Sequence, residues 1–195
     1  MSLEIVSEST TEPITATLAK AHLRVTHSND DTYIGTLITI ARHRVEIETG
    51  RALVPKTLRA RFDSFPVGRV IQLEQPPLTA VTSILYDDAD GAEQIFSSSK
   101  YSADLYSTPG RVILDSSESW ATTDSEGAAV RVLYDCGYAD GDAVPTGLKA
   151  AMYLLISHLY SNREAVSVGV SGAPAILPMG FDWLVGPYRV HKRQP

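Results

Sequence analysis

Residues 29–55, NDDTYIGTLITIARHRVEIETGRALVP, decide how the rest of this chain is read. Tyr33 and Ile34, Leu37 and Ile38, Ala41, Val45 and Glu48 recur every three or four residues, the spacing of one helix face. Asn29 or Asp30 offers an oxygen to the free N–H groups of a first turn, where acidic residues also suit the positive end of the helix dipole. Gly50 follows the last periodic residue, where a left-handed stop needs no Cβ, and Pro55 forbids continuation soon after. The pattern predicts a helix over residues 30–49, roughly 30 Å long at about 1.5 Å per residue.

Before it, the first fourteen residues read as polar. Thr15 is placed to cap a short helix over about 15–23, and HSNDD connects this helix to the long one. After Pro55 the apolar period changes to two. Leu58, Ala60 and Phe62 alternate with Arg59, Arg61 and Asp63, as in a strand with one wet face. Further short strands are expected near 70–73, 81–86, 93–96, 101–105, 111–114 and 128–134. Asp87 to Gly91 supplies hairpin-turn residues, and the Ser-, Thr- and acid-rich stretch 116–126 reads as a loop anchored by Trp120. Residues 56–142 are therefore expected to form an antiparallel β module.

A second helix is predicted over 147–162, opened by Pro145, whose missing N–H costs nothing in a first turn. Leu148, Met152, Leu155 and Leu159 share one face, and Tyr153, Ile156 and Tyr160 widen it until little of the helix is polar. Such a helix is buried on several sides. Its partner is expected to be the 30–49 helix, through Leu37, Ala41 and Val45. The two would form one bundle, assigned to residues 1–55 and 143–163, with the β module inserted between them. The fold class is α+β.

From residue 164 the chain turns small and Gly/Pro-punctuated, then crowds Phe181, Trp183, Leu184, Tyr188 and Val190 into ten residues before His191, Lys192 and Arg193. The reading is a flexible arm, 164–195, with an aromatic and basic end. Large apolar side chains after a tether either fold back onto the body or dock on another chain, and docking is the reading adopted.

Chemistry is sparse. A single cysteine, Cys136, excludes an intrachain disulfide and a cysteine-rich zinc site. Phosphate-loop and nucleophile-elbow patterns are missing. Asp88-Ala89-Asp90-Gly91 lacks the remaining ligands of a calcium loop and reads as a turn. Arg42, His43 and Arg44 form a small basic cluster, expected on a solvated face or at a subunit contact, and His158 is expected buried in the apolar helix. No catalytic residue, cofactor or metal site is expected. A net charge of −6 argues against an overall basic surface for gripping nucleic acid. No secretory leader or membrane-spanning run is read.

Four stretches carry a resemblance. They are LAKAHLRV with HSNDDTYIGTLI and IARHRVEIETGRAL, then QPPLTAVTSILYDD, then VRVLYDCGYADGDAVPTGLKAAMYLLISHLYSNREAV, and last PMGFDWLVGPYRV. In this order they resemble the head–tail connector (adaptor) proteins of tailed bacteriophages, prophages and gene transfer agents. The resemblance implies a structural subunit of the virion neck, assembled in the host cytoplasm into a ring of about twelve copies beneath the portal. The ring would bridge capsid and tail and form part of the DNA exit channel, passing double-stranded DNA without tight binding. Its implied partners are other copies, the portal protein, and the next neck component, a stopper or tail terminator. Phe181, Trp183, Leu184, Tyr188, Arg189 and Val190 become the portal-docking candidates. Leu37, Ala41, Val45, Leu148, Met152, Leu155 and Leu159 become candidates for the bundle and ring wall. Two other classes stay open: a β-rich binding or adhesion module using Tyr86, Tyr101, Tyr106 and Tyr134, and a hydrolase with a non-local active site.

Overall fold

In the computed structural model, residues 1–124, 127–163 and 180–190 are described. The fold is α+β, and the chain divides into two compact units. The β unit comprises Met1–Thr10 and Val54–Ala139; the helical unit comprises Thr11–Leu53 with residues 140–163 and 180–190.

In the helical unit, α1 (Ala16–Leu23) is capped by Thr15, whose hydroxyl accepts from the Leu18 N–H at 3.2 Å. Helix α2 (Asp31–Thr49) ends at Gly50, φ 68°, whose N–H returns to the Glu46 carbonyl at 2.8 Å. Helix α3 (Thr146–Ser161) follows Pro145, and α4 (Gly180–Val185) leads into a 3-10 turn at Gly186–Tyr188. Helices α2 and α3 pack along each other. Ile34, Leu37, Ile38, Ala41 and Val45 on one side and Leu148, Ala151, Met152, Leu155 and Ile156 on the other are all buried. Each large side chain in such a seam contributes about 1.5–3 kcal/mol by leaving water.

Four expectations change here. Leu159 is only half-buried, because the last turn of α3 is closed by aromatic rings instead: Tyr33 and Tyr160 lie 6.1 Å apart, and the Tyr33 hydroxyl donates to the Leu159 carbonyl at 3.3 Å. Asp30 stands at the N-cap of α2, but its side chain makes no capping bond. Its carboxylate accepts from the Tyr160 hydroxyl at 2.5 Å and from Arg163 at 3.2 Å, and the Arg163 guanidinium lies 4.7 Å from the Tyr33 ring centroid. The basic cluster splits by helical geometry. Arg42 is buried, 4% exposed, with its Nε donating to Glu12 at 2.8 Å and its Nη1 to Glu46 at 3.2 Å, while His43 and Arg44 face solvent. His158, expected buried, is half-buried.

The β unit holds β1 (Ser2–Glu8), β2 (Lys56–Phe62), β3 (Val70–Leu73), β4 (Leu78–Asp87), β5 (Glu93–Ile95), β6 (Tyr101–Asp104), β7 (Gly110–Leu114) and β8 (Val130–Cys136). All pairings are antiparallel, in a five-stranded sheet ordered β1-β2-β8-β4-β5 and a three-stranded sheet ordered β3-β7-β6. Strand β1 was read as a polar entry to the helices. It pairs instead with β2, Ser2 opposite Arg61 and Ile5 opposite Leu58, so residues 1–10 belong to the sheet. As an edge strand with most of its residues exposed, it lacks the half-apolar pattern that marks a core strand.

Leu58, Ala60, Val130, Val132 and Tyr134 form the buried face of the larger sheet, and Ile71, Leu73, Val112 and Leu114 that of the smaller. At their meeting Gly110 lies so close to Leu78 that a Cβ would stand 2.6 Å from its methyl carbon. Tyr134 donates its hydroxyl to the Glu74 carbonyl at 3.0 Å, and burial pushes the phenol far above its ordinary range. One end of the unit is closed by aromatic rings. Phe65 stacks on Trp120 at 4.7 Å, Phe96 lies 5.2 Å from Trp120, and the indole N–H donates to the Gly68 carbonyl at 2.8 Å. That is the anchoring expected of Trp120.

Candidate docking surface

The aromatic C-terminal segment was read as a docking element, and its described part, residues 180–190, has a defined place. Phe181 and Val185, four apart on α4, are both completely buried in the helical unit, where α4 packs against α3 and α2. The Val190 N–H donates to the Thr49 carbonyl at 2.8 Å, and Arg51 Nε donates to the Tyr188 carbonyl at 2.7 Å. Arg189 bridges Glu48 at 3.1 Å and Asp182 at 2.7 Å. The Tyr188 ring covers Gly147 at the start of α3, where a Cβ would stand 2.9 Å from the ring.

The six docking candidates therefore separate. Phe181 fills its own protomer's core. Leu184, Tyr188, Arg189 and Val190 are half-buried, with Tyr188, Arg189 and Val190 engaged in the contacts just named. Trp183 is 79% exposed, the one large ring among the six left to solvent. Residues 164–179 and 191–195, the rest of the expected arm including His191, Lys192 and Arg193, lie outside the described residues. Among the bundle and ring-wall candidates, Leu37, Ala41, Val45, Leu148, Met152 and Leu155 all point into the core of their own helical unit.

The segment's anchors escaped the sequence reading. Arg51 and Glu48 look like ordinary solvated charges flanking a helix end, and nothing local ties them to residues 188 and 189. Gly147 was a faint signal: glycine in the first turn of a good helix is costly unless something crowds it.

On the sheet, Arg59, Arg61 and Arg131 line one shallow concavity with Leu85, Asp87 and Glu93. Each arginine has an acid. Arg131 grips Asp87 through two 2.6 Å bonds and reaches Glu93 at 2.9 Å, while Arg59 and Arg61 share Glu4 at 3.3 and 2.8 Å. Arg61 beside Glu4 and Arg131 beside Asp87 hold both carboxyls below their usual range. Of the tyrosines considered for a binding strand, Tyr134 is buried, and Tyr86 and Tyr101 pack 6.3 Å from Phe96. Tyr106, 99% exposed, stands in the turn between β6 and β7. No helix among the described residues is long and apolar enough to cross a membrane.

No family model matches the chain, and no curated protein matches it. Solved structures do. A chain in the virion of a native gene transfer agent (GTA) particle superposes with a TM-score of 0.81 at 20% identity, covering 100% of this chain and 98% of that one. A chain in the neck of an empty GTA particle, computed with C6 symmetry, gives 0.77 at 21% identity with the same coverage. A chain in the neck of a native GTA particle, computed with C12 symmetry, gives 0.72 at 22%, again over 100% and 98%. From end to end, then, this chain has the fold of chains found in the virion and neck of gene transfer agent particles.

Proposed function

We propose that this chain is a structural head–tail connector (adaptor) subunit. About twelve copies form a ring beneath the portal, bridge capsid and tail, and line part of the DNA exit channel. The observation that carries this reading is the match over 100% of this chain and 98% of its neighbours, which are chains of a GTA virion and of a GTA neck computed with C12 symmetry. Local similarity to a two-helix bundle would not reproduce the sheet, the helices and the terminal segment together.

The paired arginines add physical support. Phosphate binding strengthens with the number of free Lys and Arg contacts, and here the sheet's half-buried arginine row already holds Glu4, Asp87 and Glu93. With a net charge of −6 per chain, the ring lets duplex DNA slide past rather than stick. Portal docking falls to the exposed face of the described C-terminal segment, Trp183 first. The next neck component, a stopper or tail terminator, meets the opposite side of the ring. The protein acts without catalysis or cofactor.

The test is to mix the chain with its cognate portal protein and measure the mass of the complex, with duplex DNA added at low salt. A complex carrying about twelve copies and retaining no DNA is expected. A chain that never associates with the portal, or rings that hold DNA tightly, would refute the reading.

A further inference from the structure

Tyr106 is 99% exposed, yet the turn that carries it between β6 and β7 is braced from within. The Asp104 carboxylate accepts the backbone N–H groups of Tyr106 at 3.2 Å and Ser107 at 3.1 Å. It also takes the Ser107 hydroxyl at 2.5 Å and Arg111 Nη2 at 2.6 Å, and Arg111 donates again to the Ser107 oxygen at 2.9 Å. The Tyr106 ring itself touches no other ring among the described residues, and its hydroxyl has no partner there. An aromatic side chain on a fixed turn gives up little conformational freedom when it docks, which is what makes tyrosine an effective anchor.

The same β unit carries an open groove of matching character. Met1, Phe62, Phe65, Val67, Val70 and Ile71 line a space of about 450 Å3, and Asp63 and Ser64 beside them are polar groups suited to a phenol hydroxyl. Val67 is 110%, Met1 55% and Val70 38% exposed. The groove's own loop is fixed, because Phe65 stacks on Trp120 at 4.7 Å and the indole N–H holds the Gly68 carbonyl at 2.8 Å. Exposed apolar side chains around a concave surface mark a docking site. Strand register sets knob and groove at opposite ends of the three-stranded sheet. Leu73 lies opposite Gly110 and Asp104 opposite Arg111, so the Tyr106 turn adjoins the last residue of β3. Val70, at the groove, lies opposite Ile113, about 10 Å further along β7 at about 3.4 Å per residue.

A rotationally symmetric ring requires each copy to present two different, complementary faces, one to each neighbour. A foreign partner seated on either surface would leave the other bare, whereas one contact repeated between like copies covers both. We infer that Tyr106 of each copy inserts into the groove around Phe65, Val67 and Val70 of the next, and that this knob-in-groove contact anchors the ring. The inference rests on the ring reading given above. It also moves the subunit contact away from Leu37, Ala41 and Val45, which are spent on the protomer's own core.

The experiment places a photoreactive benzoylphenylalanine at position 106 of the full chain, assembles it with the portal, and maps the cross-links after irradiation. A cross-link into residues 62–72 of a second copy is expected. One into the portal or into any other part of a second copy overturns the inference, as does a ring with no inter-copy cross-link from this position. In parallel, Tyr106→Ala and Val67→Asp should each weaken ring formation about tenfold or more with an unchanged melting temperature, while Tyr106→Phe should keep most of it. Because the two side chains meet, the double variant should be little weaker than the stronger single one. Undiminished rings with Tyr106→Ala, a loss with Tyr106→Phe as large as with Tyr106→Ala, or strictly additive losses would sink the contact while leaving the ring itself standing. If the unmodified chain forms no ring with or without the portal, the connector reading fails first and takes the contact with it.

Discussion

The Val190 N–H donates to the Thr49 carbonyl over 2.8 Å, so a residue near the end of the chain satisfies one of the orphan acceptors at the C-terminus of α2. The terminal segment is thereby part of the helical unit's hydrogen bonding as well as of its core. Phe181→Ala should cost about 3–5 kcal/mol if the whole unit unfolds together, as for other buried phenylalanines. If residues 180–190 undock separately, the loss seen in a denaturant melt will be smaller, and amide exchange will rise first at Val190.

Gly147 and Tyr188 form a second lock. Gly147→Ala should destabilise the unit by about 1–3 kcal/mol through overpacking against the ring 2.9 Å away, despite alanine being the better helix former. Adding Tyr188→Ala should restore much of that loss. Melting curves of the two single variants and the double variant measure the coupling, and strict additivity would show that the ring simply moves aside.

Arg42 is held in the core by Glu12 and Glu46, and Glu46 also accepts the Leu53 N–H at 2.7 Å. Glu46→Ala should cost about 3 kcal/mol or more, since it strips a buried guanidinium of a carboxylate and leaves a buried N–H without its acceptor. Thermal unfolding monitored by circular dichroism would reveal it. A cost below about 1 kcal/mol would mean that Arg42 finds solvent.

Leu155→Asp puts a charge at a site 3% exposed in the seam between α2 and α3 and should prevent the helical unit from folding, at a cost of several kcal/mol. A soluble variant with native helicity would contradict the burial of α3.

Asp104 sets an acid limit. Its carboxylate accepts from the Ser107 hydroxyl at 2.5 Å, from Arg111 at 2.6 Å and from two backbone N–H groups, and these bonds hold its pKa far below the ordinary range. Asp87 and Asp30 are lowered too, the first chiefly by Arg131 and the second chiefly by the Tyr160 hydroxyl. A depressed folded pKa gives stability that is complete above the unfolded value of about 4 and is lost as pH falls below it, because the unfolded chain takes the protons first. Stability measured by denaturant should be flat from neutrality to about pH 5 and decline below. Asp104→Asn should make that decline shallower.

The elements that the sequence made legible are those whose signals are local. Thr15, Gly50 and Pro145 mark helix ends by their own backbone chemistry, and the period of α2 survives translation into a buried seam. Alternation in 58–62 and 128–134 found β2 and β8, because each has one face in the core. Strand β1 went unread because an edge strand has no buried face to write into its pattern. Asp30 and Arg42 misled for a shared reason. A carboxylate before a helix, or an arginine on one, reads as local or solvated, yet here the partners lie far along the chain, Tyr160 and Arg163 for one and Glu12 for the other. In the candidate docking surface, the sequence was read as an arm over 164–195 whose aromatic end docks on another chain, whereas residues 180–190 pack on the chain's own helices. Which of their side chains face inward was settled by long-range contacts with Gly147, Thr49 and Arg51 that no local spacing records.

Arg163 is tied to Asp30 just before the first turn of α2, and Val190 to Thr49 at its last. Both attachments act on a single rod of 19 residues, about 28 Å from end to end. Loss of either tie would release one end of that rod while the other stayed held.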